Sequence, residues 1–510
     1  MKKYYEYFEE ISKKNLLEGL LGHGLFTGKL PPIFTSEYFF NFIEENYFNK
    51  NKPLPFNLKK GKDYVRYENI RHVNVPRQLA IPNPFAYAKL CKTIYKNYEN
   101  LKSYFREKTE FHNHKISRIH IRKLKDKKHL FEMNYQNFFL DKDPLLDLII
   151  GKRYLVKTDI SNCFPSIYSH SIPWAIKGRT KSKESKGHWS DDLDNASRLI
   201  KYNETNGLLI GPHTSNLLSE IILCAVDNEL FKNGYTFLRH IDDYECYTET
   251  FEEAEKFLLD LSQELKKFNL NLNLKKTIIR SLPIATAENW VHQLNSHIFL
   301  KEKNIVNLSL MRNFWNFVIE LFYKNDFNSS ILNYAIKIIS KKHLNQYAKE
   351  YHLKTVNHLV ILYPYIVSLL DEFIFKPFVR DNIPLIKYFA NSIFSSSVNK
   401  NLYESLSYAL FFAIKYNIKL EIENLYKIAE KSLDAVFILL SYLYTKRYEN
   451  NRTNIRKYKS LAENFKKDGP EDQYWIFIYE ALPKSKLSGD FKHIKEHNVS
   501  FLKDIREVTL

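Results

Sequence analysis

Three carboxylates carry the chemistry this chain can do. Asp159 closes the run Tyr154-Leu-Val-Lys-Thr-Asp-Ile160, and Asp242 and Asp243 stand together in Arg239-His-Ile-Asp-Asp-Tyr244. Each run is β-branched and aromatic and so reads as a strand, which lets acids from two strand ends meet at one edge of a sheet. Carboxylates gathered in this way can hold two divalent cations about 3.5–4 Å apart, and such a pair stabilises both the entering and the leaving oxygen of a phosphoryl transfer. All-oxygen ligation favours Mg²⁺ or Mn²⁺. An Asp-Asp pair between short strands is also an ordinary turn, in which the side chains bond their own backbone. The surrounding elements decide between the two.

Five residues after Asp159 an aromatic ring follows, in Cys163-Phe-Pro-Ser166. Then comes a tight turn, Gly207-Leu-Leu-Ile-Gly-Pro-His-Thr-Ser215, where Thr214 or Ser215 can N-cap a helix. Leu217, Leu218, Ile221, Ile222, Ala225 and Val226 recur at helical spacing behind it. After the Asp-Asp hairpin, Phe251 to Phe268 predicts an amphipathic helix and Leu270-Asn-Leu-Asn-Leu-Lys-Lys-Thr277 a strand with paired lysines.

This order resembles the palm of reverse transcriptases. The resemblance implies that Asp159 is the first metal-binding acid and that Asp242 and Asp243 are the acidic pair, Asp243 being the less direct ligand. It implies that Phe164 is the ring that excludes a ribose 2′-hydroxyl, so that the substrates are dNTPs. By the same resemblance Ile210-Gly211-Pro212 is the turn under the incoming nucleotide, and Lys276 is the lysine near the departing pyrophosphate. Two positions depart from the pattern: Ile210 stands where templated enzymes have glutamine, and His240 where they have Tyr or Phe. Both lie at the nucleotide and primer grip and neither at the metals, which weakens the case for a conventional primer–template clamp.

Four further stretches narrow the resemblance: Phe26-Thr-Gly-Lys-Leu-Pro-Pro-Ile-Phe-Thr-Ser-Glu-Tyr38, Arg77-Gln-Leu-Ala-Ile-Pro-Asn-Pro84, Phe164 to Trp174, and Gly211 to Glu220. Together they are similar to the abortive-infection (Abi) reverse transcriptases of bacteria, of the AbiK type, including prophage-borne forms. The motifs span the first 300 residues or so. What this resemblance implies is a polymerase half joined to a helical-repeat half, a homo-oligomer, and DNA synthesis without a template in defence against phage. A tyrosine hydroxyl of the protein would prime the strand and leave the DNA product covalently attached. Tyr38, inside one of the matching stretches, is the priming candidate among Tyr4, Tyr5, Tyr7 and Tyr38.

Composition agrees. A chain of 510 residues with 44% apolar content has room for two domains with sizeable cores. Its 76 basic against 58 acidic residues, a net charge of +18, suit a polyanionic partner, nucleic acid being the simplest. The excess is local: Leu101 to Leu130 carries ten Lys or Arg against three acids, and Lys177 to Gly187 five against one. In Ser117-Arg-Ile-His-Ile-Arg122 strict alternation puts Arg118, His120 and Arg122 on one face of a strand. Such a face can bind a triphosphate through the guanidinium fork, or simply be a solvated edge; Arg118 and Arg122 are nucleotide-binding candidates on the first reading.

The four cysteines, Cys91, Cys163, Cys224 and Cys246, are scattered without zinc spacing, which points to a reduced, cytoplasmic protein. The start lacks an apolar signal core, Pro364 interrupts the greasiest stretch, and no membrane span is predicted. Past residue 300 glycine almost vanishes. Helices are predicted over Ser309 to Tyr323, Ser329 to His343, Thr355 to Phe375, Leu402 to Tyr416, Leu433 to Tyr448 and Asn454 to Lys466. The expected architecture is an α+β fingers-and-palm domain over residues 1–300 followed by an all-α, HEAT-like solenoid over residues 301–510. Two other functions stay open: an RNA-templated reverse transcriptase, and a nucleic-acid-binding scaffold without catalysis.

Overall fold

The computed structural model describes residues 2–50, 52–56, 58, 60–71, 76–118, 120–121, 131–132, 145–284, 288–296, 305–379, 382–449 and 452–504. Strands β1 (Tyr64–Ile70) and β2 (Pro76–Pro82) form an antiparallel hairpin in which Tyr64 faces Pro82 and Ile70 faces Pro76. Period-two alternation sets its burial, with Val65 and Tyr67 inside and Arg66 and Glu68 outside. Helix α1 (Pro84–Lys96) follows at once: Pro84 sits in its first turn, and Asn83 accepts a 3.1 Å bond from the Phe85 N–H. Helices α2 (Tyr98–Thr109) and α3 (Trp189–Leu199) complete this region.

The palm is a four-stranded antiparallel sheet of β3 (Tyr154–Asp159), β4 (Thr236–His240), β5 (Asp243–Thr248) and β6 (Ile278–Ser281), in the order β4-β5-β3-β6. Its register places Asp159 directly opposite Asp243, and His240 opposite Asp243 on the other side. Helix α5 (Phe251–Lys266) packs on β3 and β5, and α4 (His213–Lys232) packs on α5. Two expectations change here. Helix α4 begins at His213 after Pro212, so Thr214 and Ser215 lie buried in its first turn rather than capping it. The stretch from Leu270 to Thr277 makes one bridge, Leu272 to Ile160, and then a 3₁₀ turn over Leu274–Lys276; the ladder strand starts at Ile278.

The second half is helix-rich: α6 (Leu308–Lys324), α7 (Ser329–Ile339), α8 (Gln346–Leu362), α9 (Ile383–Val398), α10 (Tyr403–Lys415), α11 (Leu425–Ser432), α12 (Ala435–Tyr444), α13 (Arg452–Lys467) and α14 (Trp475–Ala481). Helix α6 packs on α8, α8 on α9, α9 on α10, α10 on α12 and α12 on α14. The predicted helix from Thr355 to Phe375 is broken at Tyr363, because Pro364 cannot continue the α-helical ladder; a 3₁₀ turn over Pro364–Leu369 follows. The chain then returns to its beginning. Trp475 donates through Nε1 to the Ile81 carbonyl at 3.4 Å, Thr35 N–H bonds the Phe501 carbonyl at 2.9 Å, and Phe501 packs against the rings of Phe26 and Phe39. Among the described residues no helix is long and apolar enough to cross a membrane. All four cysteines are buried free thiols.

Candidate active site

Asp159 ends β3 almost fully buried, at 5% exposure. Its carbonyl accepts from Asn273 N–H at 2.7 Å, and Ile160 N–H donates to the Asp242 carbonyl at 3.1 Å, so the backbone ties the first acid to the turn that carries the second. That turn is strained. Ile241, a β-branched residue, sits at φ +64°, in a region such side chains rarely enter. What holds it is Arg239, fully buried: Nη1 donates to the Ile241 carbonyl at 2.8 Å, while the guanidinium pairs with Glu220 at 2.8 Å and Asp227 at 2.7 Å.

Asp159 and Asp242 open on a cleft of about 710 Å³, whose wall also includes Phe164, Ile210, Arg77 and Lys276. Phe164 is placed by a short helix, Cys163–Ser166, that follows Asn162 in the left-handed region at φ +46°. Its carbonyl accepts from Leu208 N–H at 2.8 Å, which joins the ring's support to the glycine turn. Gly211 has φ +128°, and a Cβ there would stand 3.0 Å from the Ala80 carbonyl oxygen. Ile210 accepts from Ala80 N–H at 2.8 Å, so the turn and the β2 strand are stitched together across the cleft.

The acids repel one another. Asp242 is raised above its ordinary value by burial and then by Asp159. Asp243 is pushed up to about 6 by burial, then by Asp242 and Asp159. Lys276 forms an ion pair with Asp159 Oδ2, and that hydrogen bond raises the lysine. Asp159 Oδ1 is buried and accepts no hydrogen bond. Among the described residues no group of three His, Cys, Asp or Glu side chains stands ready-made around a metal position. The donors present nevertheless fit a hard divalent cation: they are all oxygen, one is orphaned, and their mutual repulsion is of the kind a cation relieves.

Of the residues singled out from sequence, Asp159, Asp242, Phe164 and Lys276 line the cleft together. Asp243 stands beside Asp159 in the sheet register but is exposed and outside the lining. Gly211 and Pro212 shape the cleft from behind Ile210 without lining it. Arg118 lies alongside β4, its N–H on the Arg239 carbonyl at 2.7 Å, away from the cleft wall. Arg122 lies outside the described residues. Tyr38, half-buried in the helix Glu37–Ile43, is not among the lining residues. His240, opposite Asp243, is lowered to about 4 by burial and is neutral at pH 7.

Sequence reasoning gave no role to three residues that matter here. Arg77 and Tyr64 enter the cleft wall from the β1–β2 hairpin, where Arg66 stacks on the Tyr64 ring at 4.7 Å. The signal was present for Arg77, which opens a matching stretch, but absent for Tyr64. Arg239 was read only as a neighbour of the acids, although a strand-central arginine between Leu238 and His240 demands buried counter-charges.

Residues 88–305 match the family model described as reverse transcriptase (RNA-dependent DNA polymerase). No curated protein matches the chain. Among solved structures, the apo telomerase from Candida tropicalis is 13% identical, with 74% of each chain covered and a TM-score of 0.34. The telomerase from Candida albicans in complex with a TWJ fragment of telomeric RNA is 11% identical, with 71% of this chain and 68% of that chain covered and a TM-score of 0.30. At such TM-scores the likeness carries no argument. The family match and the acids it encloses have one consequence: the chain carries a reverse transcriptase domain and is a nucleotidyltransferase of that type.

Proposed function

We propose that the chain is a Mg²⁺- or Mn²⁺-dependent DNA polymerase that builds DNA from dNTPs without a template, in cytoplasmic defence against phage. The observation that carries the polymerase reading is the meeting of Asp159 and Asp242, from two adjoining strand ends, in one wall of a cleft that also holds Phe164, Arg77 and Lys276. Asp159 and Asp242 would hold the cation, with Asp243 in support. When bound, it would neutralise charge on the phosphates and make the attacking hydroxyl more acidic. Phe164 closes the space beside the sugar and so selects deoxyribose. Arg77 and Lys276 offer cations to the triphosphate, and Lys276 must leave Asp159 Oδ2 to do so.

The absence of template copying, the Tyr38 hydroxyl as primer, the covalent product, the homo-oligomer and the defensive role rest on the resemblance to abortive-infection enzymes. In this reading the polymerase part covers residues 1–300, and residues 301–510 form a HEAT-like solenoid that guides product or joins subunits; the succession of packed helices from α6 to α14 supports it. A second reading, an RNA-templated reverse transcriptase, is favoured by the family match itself.

One experiment separates them. Nucleic-acid-free protein is incubated with Mg²⁺ and labelled dNTPs, with neither template nor primer. Label that stays on the protein through denaturation, and is trimmed by DNase, supports protein-primed untemplated synthesis, and its loss in Tyr38→Phe supports that residue. Incorporation only after RNA template and primer are supplied moves the function to the second reading. No incorporation in either case leaves a scaffold.

A further inference from the structure

Beyond the catalytic cleft, the palm carries a second surface of aromatic and basic side chains. It begins three residues after Pro165, itself in the cleft wall. The Tyr168 ring meets His170 at 4.8 Å and Trp174 at 5.6 Å, and the Arg179 guanidinium lies 4.5 Å over the Trp174 ring. Trp174 and Lys181 border a hollow of about 520 Å³ between the helix Ser171–Lys177, α2, α4 and α5. Outside it, the segment from Gly178 to Gly187 presents Arg179, Lys181, Lys183 and Lys186 to solvent, against the single acid Glu184.

These cations differ from their neighbours. Lys177, Lys267 and Lys108 are held in ion pairs with Asp191, Glu264 and Glu107, and Glu229, which borders the hollow, pairs with Lys232. Lys177 also donates to the Ser185 carbonyl at 2.8 Å and so fixes the segment in place. Arg179, Lys181, Lys183 and Lys186 make no ion pair among the described residues, and nothing in the fold uses their charge.

We propose that this surface binds single-stranded nucleic acid at a site separate from the catalytic cleft. A guanidinium stacked on an indole keeps its outer face open, and an unpaired base can lie on that face, while the lysines beside it take the phosphates. Duplex has its bases buried and offers no such partner. Base–aromatic stacking tolerates any sequence, so no base preference is expected. The strand that fills the site is either the enzyme's own product, looping back past Pro165, or one supplied from outside.

The test uses the full chain carrying Asp242→Ala, so that no strand is made, and a fluorescent oligothymidine of about 20 nucleotides, longer than the roughly 4–16 nucleotides such sites cover. Fluorescence anisotropy is read across a salt series, with and without Arg179→Ala, Lys181→Ala and Lys183→Ala together. All three positions are exposed, and circular dichroism checks that the fold is kept. Binding at least about tenfold weaker, with a salt slope shallower by about 2 for three lost phosphate contacts, is expected. Equal affinity and equal slope would overturn the site. The same triple variant with an intact Asp242 then identifies the strand: shortened products mean that the product itself is bound, and unchanged products with lost oligonucleotide binding mean an outside strand. Because the first arm involves no synthesis, its failure is distinct from failure of the polymerase reading.

Discussion

Ile241 carries a β-branched side chain at φ +64°, a conformation that costs about 1–3 kcal/mol and persists only where the surroundings impose it. Here the imposing group is Arg239, bonded to the Ile241 carbonyl and paired with two buried acids. Removing it leaves Glu220 and Asp227 buried and unpaired, at a cost of about 3–5 kcal/mol, and frees the turn that sets Asp242. Arg239→Met is therefore expected to lower the thermal midpoint clearly and to abolish nucleotide incorporation; normal incorporation would show that the turn holds itself. The acids lie differently in the cleft, so their variants should too: Asp242→Asn is expected to lose activity fully and Asp243→Asn only in part, read from initial rates side by side. The acids were legible in sequence because strand ends are local features. Arg77 and Tyr64 were not assigned, since they reach the cleft only through strand pairing and the docking of β2 on the glycine turn.

At the scale of elements, the cleft depends on a close approach between that turn and β2. Gly211→Ala adds a Cβ 3.0 Å from the Ala80 carbonyl at a φ of +128°, where side chains are scarcely tolerated. The expected result is a loss of about 1–3 kcal/mol in chemical denaturation together with weaker nucleotide binding, because Ile210 must move away from Ala80. Unchanged stability would mean that the turn relaxes without cost. Helix existence was largely readable here, as α4, α5 and α6 follow their apolar periodicity. Ends were not: Pro212 sets the start of α4 where hydroxyl side chains suggested a cap, and the lysines near Lys276 sit in a 3₁₀ turn where alternation suggested a strand.

For the whole molecule, the second half closes back on the first. Glu404, in α10, is nearly inaccessible and accepts 2.6 Å bonds from the Asn69 amide and the Ile70 N–H of β1. Burial, outweighing those two bonds, pushes it up to about 7. An acid raised in the folded state binds its proton more tightly there than in the unfolded chain, whose value is about 4.3. Folding is thus favoured at low pH by this group, and the advantage is lost as pH rises from about 4 through 7. Glu404→Gln should flatten the fall in thermal midpoint across that window, and a curve parallel to that of the parent protein would remove Glu404 from the interface account. No sequence feature announced this contact, because its partners lie more than three hundred residues apart and neither belongs to a periodic pattern.

The most direct test of the central claim is nucleotide incorporation by the intact chain with Mg²⁺, with template and primer both supplied and both withheld, beside Asp159→Asn and Asp242→Asn. Incorporation of dNTPs under at least one condition, abolished by either substitution and by chelation of the metal, is the predicted result. Incorporation that survives both substitutions would contradict the assignment of this cleft as the active site.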